Sequence, residues 1–398
     1  MFRKGFGLGG EIAPELARDY HSALVAWFRD NGGSLTGGET TLLLASELGF
    51  CYGVDRAVEY AYETRHKFPD RRIHITGEII HNPHVNKKLR EMEIHFLSTP
   101  EDLEIDLNAV QAGDVVILPA FGARVEDLDA LRQRGAVLVD TTCGSVLNVW
   151  KNVQRNARDG FTSVIHGKVS HEETRATASW ARGTSAQGHY LVVRDMGETE
   201  DVCRYIEERG KSAEFLARFQ HACSPGFDPE LHLCQVGVAN QTTMLSSESL
   251  AIARRLGQAL TTRYGATEQA RRFRSFDTIC SATQERQDAV VDLLAMKLDL
   301  LVVIGGYNSS NTNHLAELSA DHGTPAFHIE DFTALKSDGS IRYQPVRQED
   351  EIIEPGWLPQ GPVRIGVTAG ASTPNNRIGE VLATILNLRR VALPVEAN

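Results

Sequence analysis

Gly49-Phe50-Cys51-Tyr52-Gly53-Val54-Asp55-Arg56 follows an apolar run over 41–45 and opens a helical pattern over 54–62. Glycines on either side let the backbone turn tightly, so Cys51 sits where a strand hands over to a helix. Two more cysteines share that setting. Cys143 lies between the strand-like Ala136-Val137-Leu138-Val139-Asp140 and a helical stretch over 145–157. Cys280 lies between Phe276-Asp277-Thr278-Ile279, read as a strand, and a helical stretch over 283–295. Three cysteines far apart in the chain thus each stand ahead of a helix.

The 398 residues leave room for two or three domains and an ample core. An apolar fraction of 42% and a charged fraction of 23% are those of a soluble globular protein. The net charge of −11 argues against a nucleic-acid partner, which calls for a basic face. No apolar run approaches the roughly 20 residues of a membrane helix, so no membrane association is expected. The first residues lack the basic-then-apolar layout of a signal peptide. Six cysteines without close spacing do not make a disulfide framework, and a reducing cytoplasm is the expected compartment. Grouped cysteines in that compartment signal metal binding or catalysis.

Residues 1–37 read as a short flexible tail followed by one amphipathic helix over 13–29, stopped at Asn31-Gly32-Gly33. Gly5, Gly7 and Gly10 match the spacing G-x-G-x-x-G, but no strand precedes them and the dinucleotide reading is set aside. Beyond Thr40 short β-branched runs alternate with helical segments. Strands are expected over 72–76, 115–118, 136–139, 162–166, 190–193, 233–238, 300–304, 325–329 and 363–367. This is the α/β pattern, with mostly parallel sheets and helices on their faces. The stretch 207–230, with Pro225 and Gly226, reads as a surface insertion, and 345–362 as a loop-rich connection.

In such sheets ligands bind where strands lead into helices, and the polar residues gather there. Glu78-Ile79-Ile80-His81-Asn82-Pro83-His84, Ile165 to Thr174, Asn240-Gln241-Thr242-Thr243, Gly305 to His314 and Gly370-Ala371-Ser372-Thr373-Pro374 each follow a strand candidate. Helix N-termini offer free N–H groups and a dipole that favour an anion. Any one of these loops is explained by ordinary capping. Five in one chain, beside three matching cysteines, point to a shared polar pocket for a phosphorylated ligand. For the cysteines three readings stand: buried structural thiols, a catalytic zinc recruiting His81 or His171, or a [4Fe-4S] cluster with one iron lacking a protein ligand.

The motifs GFCYGVDRA, GEIIHNPHVN, DTTCGSVLNVWK, SVIHGKVSHEET, ANQTTM, TICSATQERQDAV, GGYNSSNTNHLAEL and GVTAGASTP stand in this order along the chain. In sequence and order they resemble the LytB/IspH family of reductases, from about Thr40 to about Leu388. The N-terminal helix and the segment around Cys223 resemble the longer cyanobacterial and plant-type members.

The resemblance implies three α/β modules around a central iron–sulfur cluster. The matching boundaries are 1–37 for an N-terminal extension and 38–142, 143–278 and 279–398 for the modules, with the strand before Cys51 available to complete the last. It implies that Cys51, Cys143 and Cys280 hold a [4Fe-4S] cluster. His81, His171, Ser309, Ser310, Asn311 and Ser372 would grip a diphosphate, with Thr242 near the substrate hydroxyl and Glu173 as proton source. A carboxyl facing an anion suits that role, since like charge favours its protonated form. Glu172, the adjacent helical residue, would point elsewhere. The implied activity is reductive dehydroxylation of 4-hydroxy-3-methylbut-2-enyl diphosphate to isopentenyl and dimethylallyl diphosphate, the last step of the methylerythritol phosphate route. Electrons would come from a ferredoxin or flavodoxin, because no flavin or nicotinamide site is visible.

One position departs from the pattern. Short bacterial members carry a histidine where this chain has Arg124, in Phe121-Gly122-Ala123-Arg124. Arg124 either takes over a phosphate contact or pairs in solvent beside Glu126 and Asp127. Cys203, Cys223 and Cys234 match no ligand position and read as buried or incidental thiols. His84 lies near a site loop without a role, and His166 and His314 are candidates to line the pocket. A non-catalytic iron–sulfur sensor and a zinc-dependent phosphohydrolase remain as alternatives. A placed Glu173 and Thr242 argue against the first, and the lack of aspartate-rich metal loops against the second.

Overall fold

Strand Thr40–Leu44 lies inside a five-stranded sheet, antiparallel to Ser34–Gly37 on one side and parallel to Val363–Ala369 on the other. Leu300–Ile304 and Ala326–Ile329 continue the sheet in parallel. Side chains alternate across a strand, and both faces of this sheet are covered. Leu42 and Leu44 share one core with Val302, Ile304, Ile365 and Val367 and with Ile378, Val381 and Leu382 of the helix Asn375–Leu388. Leu43, Leu301 and Val303 share the other with Val290, Leu293 and Leu315. That two-sided burial is why these runs read as continuously apolar.

The computed structural model describes residues 1–99, 102, 104–183, 187–276 and 278–395. The chain forms two units. The first comprises Met1–Arg3, Arg71–Gly77 and His95–Cys280; the second comprises Lys4–Asp70, Glu78–Ile94 and Ser281–Asn398. The five-stranded sheet belongs to the second unit, as does a hairpin of Ser340–Tyr343 and Ile352–Pro355. The first unit carries two sheets. One has Ile73–Ile75, Val115–Leu118 and Val137–Asp140 in parallel, with Ile94–Phe96 at its edge. The other runs Phe273–Ser275, Val236–Asn240, Thr162–His166, Tyr190–Val193, all parallel. A mixed α/β protein with mostly parallel sheets is what the alternating pattern predicts.

Four expectations are corrected. The stretch 13–29 is not one helix but two, Gly9–Tyr20 and Ala23–Asp30. Ser22 takes an extended conformation between them and its hydroxyl accepts from Val25 N, capping the second helix. The first residues are not a loose tail. In the first unit Phe2 pairs with strand Val137–Asp140, donating to Leu138 O at 2.8 Å and accepting from Asp140 N at 2.8 Å. In the second unit buried Glu63 accepts from Phe6 N and Leu8 N. The stretch 207–230 is no surface insertion: Phe215, Phe219, Ala222 and Phe227 are buried in the core around the Thr162–His166 sheet of the first unit. The strand ahead of Cys280 ends at Ser275, short of 276–279, and Asp277 lies outside the described residues. The connection 345–362 also contains one strand of the hairpin, Ile352–Pro355.

Candidate active site

Cys51 is the residue ahead of the helix Tyr52–Lys67, and Cys143 holds the same place before Gly144–Arg158. Both backbones are extended there, and neither thiol caps its helix. Cys280 directly precedes Ser281–Ala295. All three are half-buried. In the second unit Cys51 N donates to Ala371 O at 3.2 Å. Gly49, at φ +77°, makes the turn before it, and its carbonyl accepts from Arg286 Nε at 3.2 Å and Nη2 at 2.7 Å. A side chain at Gly49 would be strained in that conformation. In the first unit Cys143 N donates to Ala120 O at 2.8 Å, and Cys280 N to Thr242 O at 3.3 Å.

Within the second unit three loops meet at the starts of helices Pro83–Glu91, Ser310–Asp321 and Asn375–Leu388. His81 donates from Nδ1 to Glu78 Oε2 at 3.0 Å. The same carboxylate oxygen accepts from Asn308 Nδ2 at 2.9 Å. Ser372 Oγ donates to His81 O at 3.0 Å and lies 3.5 Å from Ser309 Oγ. Gly306 must be glycine, because a Cβ would come within 2.9 Å of His81 O. Ser309 is a working cap, accepting from Thr312 Oγ1 at 2.9 Å and Thr312 N at 3.4 Å. Asn311 Oδ1 accepts from Ala371 N at 2.9 Å. Two buried polar atoms beside these, Ser310 Oγ and Asn311 Nδ2, have no hydrogen-bond partner among the described residues. Such groups cost free energy unless a ligand satisfies them, and these two are donors at a helix start.

In the first unit His171 is the residue ahead of the helix Glu172–Ala181, and its Nδ1 accepts from Glu173 N at 3.1 Å. In the neutral ring the hydrogen is then on Nε2. Phe121 packs edge-on against this ring, 6.1 Å between centroids. Glu173 is buried, and both its oxygens accept from Thr242: Oε1 from the backbone N–H at 2.6 Å, Oε2 from the hydroxyl at 3.0 Å. Gln241 braces the neighbouring backbone, accepting from Lys168 N and Thr174 Oγ1 and donating to Thr243 Oγ1. Glu172 remains half-exposed at the first turn.

Thus in the second unit His81, Ser309, Ser310, Asn311 and Ser372 share one group of loops with Cys51. In the first unit Glu173 and Thr242 are paired, with His171 one residue from Glu173 and Cys280 bonded to Thr242 through the backbone. Glu78, Asn308 and Gln241 lie in loops that the sequence marks as polar, but the sequence reading gave none of them a role. Glu78 has a readable signal, an acid three residues ahead of His81 in one loop.

The other candidates are placed as follows. Arg124 makes paired bonds to both oxygens of Asp127 at 2.7 and 2.8 Å and to both oxygens of Glu104 at 3.1 and 2.9 Å. These carboxylates hold its guanidinium pKa above the ordinary value. His166 is buried at a strand end, 2.8 Å from Ser249 Oγ and 3.8 Å from Glu248. His314 lies within the Ser310–Asp321 helix, 3.9 Å from Glu317. His84 Nε2 accepts from Arg377 at 3.1 Å, and burial and that charge push its pKa down to about 4. Cys203 is a core thiol that burial raises to about 12, while Cys234 receives Tyr264 OH at 3.3 Å.

Helix-start loops, extended cysteines and a buried acid–hydroxyl pair define an α/β enzyme built for an anionic ligand. A family model described as LytB protein matches residues 42–386, and the chain belongs to that family. It is 48% identical over 390 residues to the 4-hydroxy-3-methylbut-2-enyl diphosphate reductase of Thermosynechococcus vestitus, covering 98% of this chain and 95% of that one. To the enzyme of that name from Synechococcus sp. strain RCC307 it is 49% identical over 386 residues, covering 97% and 93%. Among solved structures, the E-1-hydroxy-2-methyl-but-2-enyl-4-diphosphate reductase from Plasmodium falciparum shares the fold, with a TM-score of 0.64 at 22% identity over 88% and 89% of the chains. A second structure matches with a TM-score of 0.50 at 27% identity over 87% and 99%. That structure is of (E)-4-hydroxy-3-methyl-but-2-enyl diphosphate reductase, the terminal enzyme of the non-mevalonate pathway.

Proposed function

We infer that the chain reduces 4-hydroxy-3-methylbut-2-enyl diphosphate to isopentenyl and dimethylallyl diphosphate, the closing step of the non-mevalonate route to isoprenoids. The near-full-length match to reductases of that name carries this reading. The reaction balances as one C–O bond broken, two electrons and two protons taken up, and one water released.

Cys51, Cys143 and Cys280 would hold an iron–sulfur group, a [4Fe-4S] cluster. The donor set supports this: three soft thiols, each at a helix start where N–H groups and the dipole favour the thiolate. When bound, such a cluster supplies the electrons and an iron that polarises the departing oxygen. His81, His171, Ser309, Ser310, Asn311 and Ser372 would bind the diphosphate. The orphaned Ser310 Oγ and Asn311 Nδ2 support that assignment, since an anion at this helix start satisfies both.

Glu173 is the proton source and Thr242 the relay. A proton arriving on Glu173 passes to Thr242 Oγ while the hydroxyl hands its own to the leaving oxygen, and the 3.0 Å bond between them is the path. Burial keeps bulk water from short-circuiting the transfer.

Reducing equivalents come from a ferredoxin or flavodoxin, and the enzyme works in the cytoplasm, where its thiols stay reduced. Among the described residues no helix is long and apolar enough to cross a membrane. For the domain organisation we propose modules over 38–142, 143–278 and 279–398 after an extension over 1–37. A sheet within each span supports this, Thr40–Leu44 joining the last.

The test is turnover of the hydroxy-diphosphate by anaerobically purified protein with dithionite and a viologen. Formation of both five-carbon diphosphates is expected. Absence of either product from protein with a full cluster would refute the reading.

A further inference from the structure

We propose that Glu78 is a positioning residue: its carboxylate fixes His81 in the tautomer that carries its hydrogen on Nδ1, turns Nε2 to the diphosphate, and holds Asn308 in register with it. This rests on the reading of His81 as a diphosphate ligand and goes one layer behind it.

The backbone around His81 has little freedom. Asn86 accepts from Ile79 N at 3.2 Å and donates to Ile80 O at 2.9 Å. Asn82 N donates to Ile80 O at 2.8 Å, and Asn82 Oδ1 accepts from Val85 N at 3.1 Å. Ser372 holds the His81 carbonyl. What such a loop leaves open is the rotation of the imidazole and which nitrogen bears the hydrogen. Glu78 decides both. An ionised carboxylate only accepts, so the ring atom 3.0 Å from Oε2 must present N–H, and that atom is Nδ1. In His171 the hydrogen sits on the other nitrogen, because Nδ1 there accepts from a backbone N–H.

The bond from Asn308 gives Glu78 a second task. Asn308 stands two residues before Ser310 in Gly305-Gly306-Tyr307-Asn308-Ser309-Ser310-Asn311. By accepting from His81 and Asn308 on one oxygen, buried Glu78 ties the loop before Pro83–Glu91 to the loop before Ser310–Asp321. Outer partners of this kind orient a ligand-binding histidine without touching what it binds. Nothing else in the mechanism uses this acid.

The experiment compares wild type, Glu78→Gln, Glu78→Met and His81→Ala as anaerobically purified full-length protein. Calorimetry reads the affinity for inorganic diphosphate, and ¹⁵N spectra of histidine-labelled protein read the His81 tautomer. Gln keeps an acceptor oxygen, so the Nδ1–H form persists and affinity stays within about threefold of wild type. Met removes the acceptor at similar size; the tautomer signature is lost and affinity falls about 10- to 100-fold. A Met variant with the wild-type tautomer, or with wild-type affinity, overturns the proposal. A His81→Ala protein that binds diphosphate as wild type does refutes instead the reading of His81 as a ligand, and the role of Glu78 falls with it. Should Met fail to fold, Glu78→Ala, which also lacks an acceptor, is read in its place: loss of the Nδ1–H signature with an about 10- to 100-fold fall in affinity supports the proposal, and a wild-type tautomer or wild-type affinity overturns it.

Discussion

Glu173 is bonded to Thr242 through both carboxylate oxygens, one taking the backbone N–H at 2.6 Å and the other the hydroxyl at 3.0 Å. The acid comes from the start of one helix and the threonine from the loop after strand Val236–Asn240, so the fold of the first unit creates the pair. The N–H bond fixes the carboxylate, and the hydroxyl bond leaves one exchangeable proton between them.

Removing that proton path should stop chemistry and leave binding. Glu173→Gln is expected to lower kcat by about 10²- to 10⁴-fold, with KM for the diphosphate changed little. Thr242→Val should do nearly the same, and Thr242→Ser should restore most of the rate. Steady-state kinetics of the four proteins check this, and a wild-type kcat in Glu173→Gln would exclude Glu173 as the proton source.

Ser309 and Ser310 are adjacent but differ in what they already hold. Ser309 caps the helix, so Ser309→Ala should cost about 0.5–2 kcal/mol of stability. Ser310 Oγ has no partner among the described residues, so Ser310→Ala should leave the unfolding midpoint unchanged or raise it. It should nonetheless raise KM about tenfold, the worth of one hydrogen bond to a charged group. Denaturant melts and KM values on the two variants separate cap from ligand.

Burial pushes His328 down to about 4, where its Nε2–H donates to Gly305 O at 2.9 Å. Burial and Arg377 push His84 to about 4 as well. A base whose folded pKa lies below its unfolded value stabilises the fold above the unfolded pKa, near 6.5. That stability is lost as pH falls from about 6.5 toward 4. For His328 alone the loss between pH 7.5 and 5 is about 2 kcal/mol. Urea melts at the two pH values should show the drop, and His328→Leu should flatten it; an equal drop in the variant would remove His328 as its origin.

Arg124 is occupied by Glu104 and Asp127. Arg124→Gln should therefore leave KM for the diphosphate within about twofold while lowering stability by about 1–2 kcal/mol, as expected for a half-exposed multiple pair. A tenfold rise in KM would restore the phosphate-contact reading.

Much of this was legible in the chain because strands buried on both faces announce themselves. Val115–Leu118, Thr162–His166, Tyr190–Val193 and Leu300–Ile304 fall where unbroken β-branched and leucine runs place them. Cys51 and Cys143 stand ahead of helices because glycine and short polar residues mark the turns. Less was legible where local signals compete. Ser22 reads as a mild helix residue until its hydroxyl is seen to cap a second helix. Phe2 and Glu63 carry no periodic signal, and only tertiary contacts turn 1–8 from a tail into packed chain. The aromatics of 207–230 looked loop-bound because Pro225 and Gly226 break the pattern, yet their burial is what holds the segment. Glu78 was hidden for a different reason: an acid before a helix is ordinary, and its partner Asn308 lies 230 residues away.

The most direct measurement is iron and sulfide content with Mössbauer spectra of anaerobically purified protein, before and after the hydroxy-diphosphate is added. The account predicts four irons and four sulfides per chain, with the signal of one iron shifting when substrate is added. Protein without a cluster under those conditions, or a cluster whose spectrum is indifferent to substrate, would contradict it.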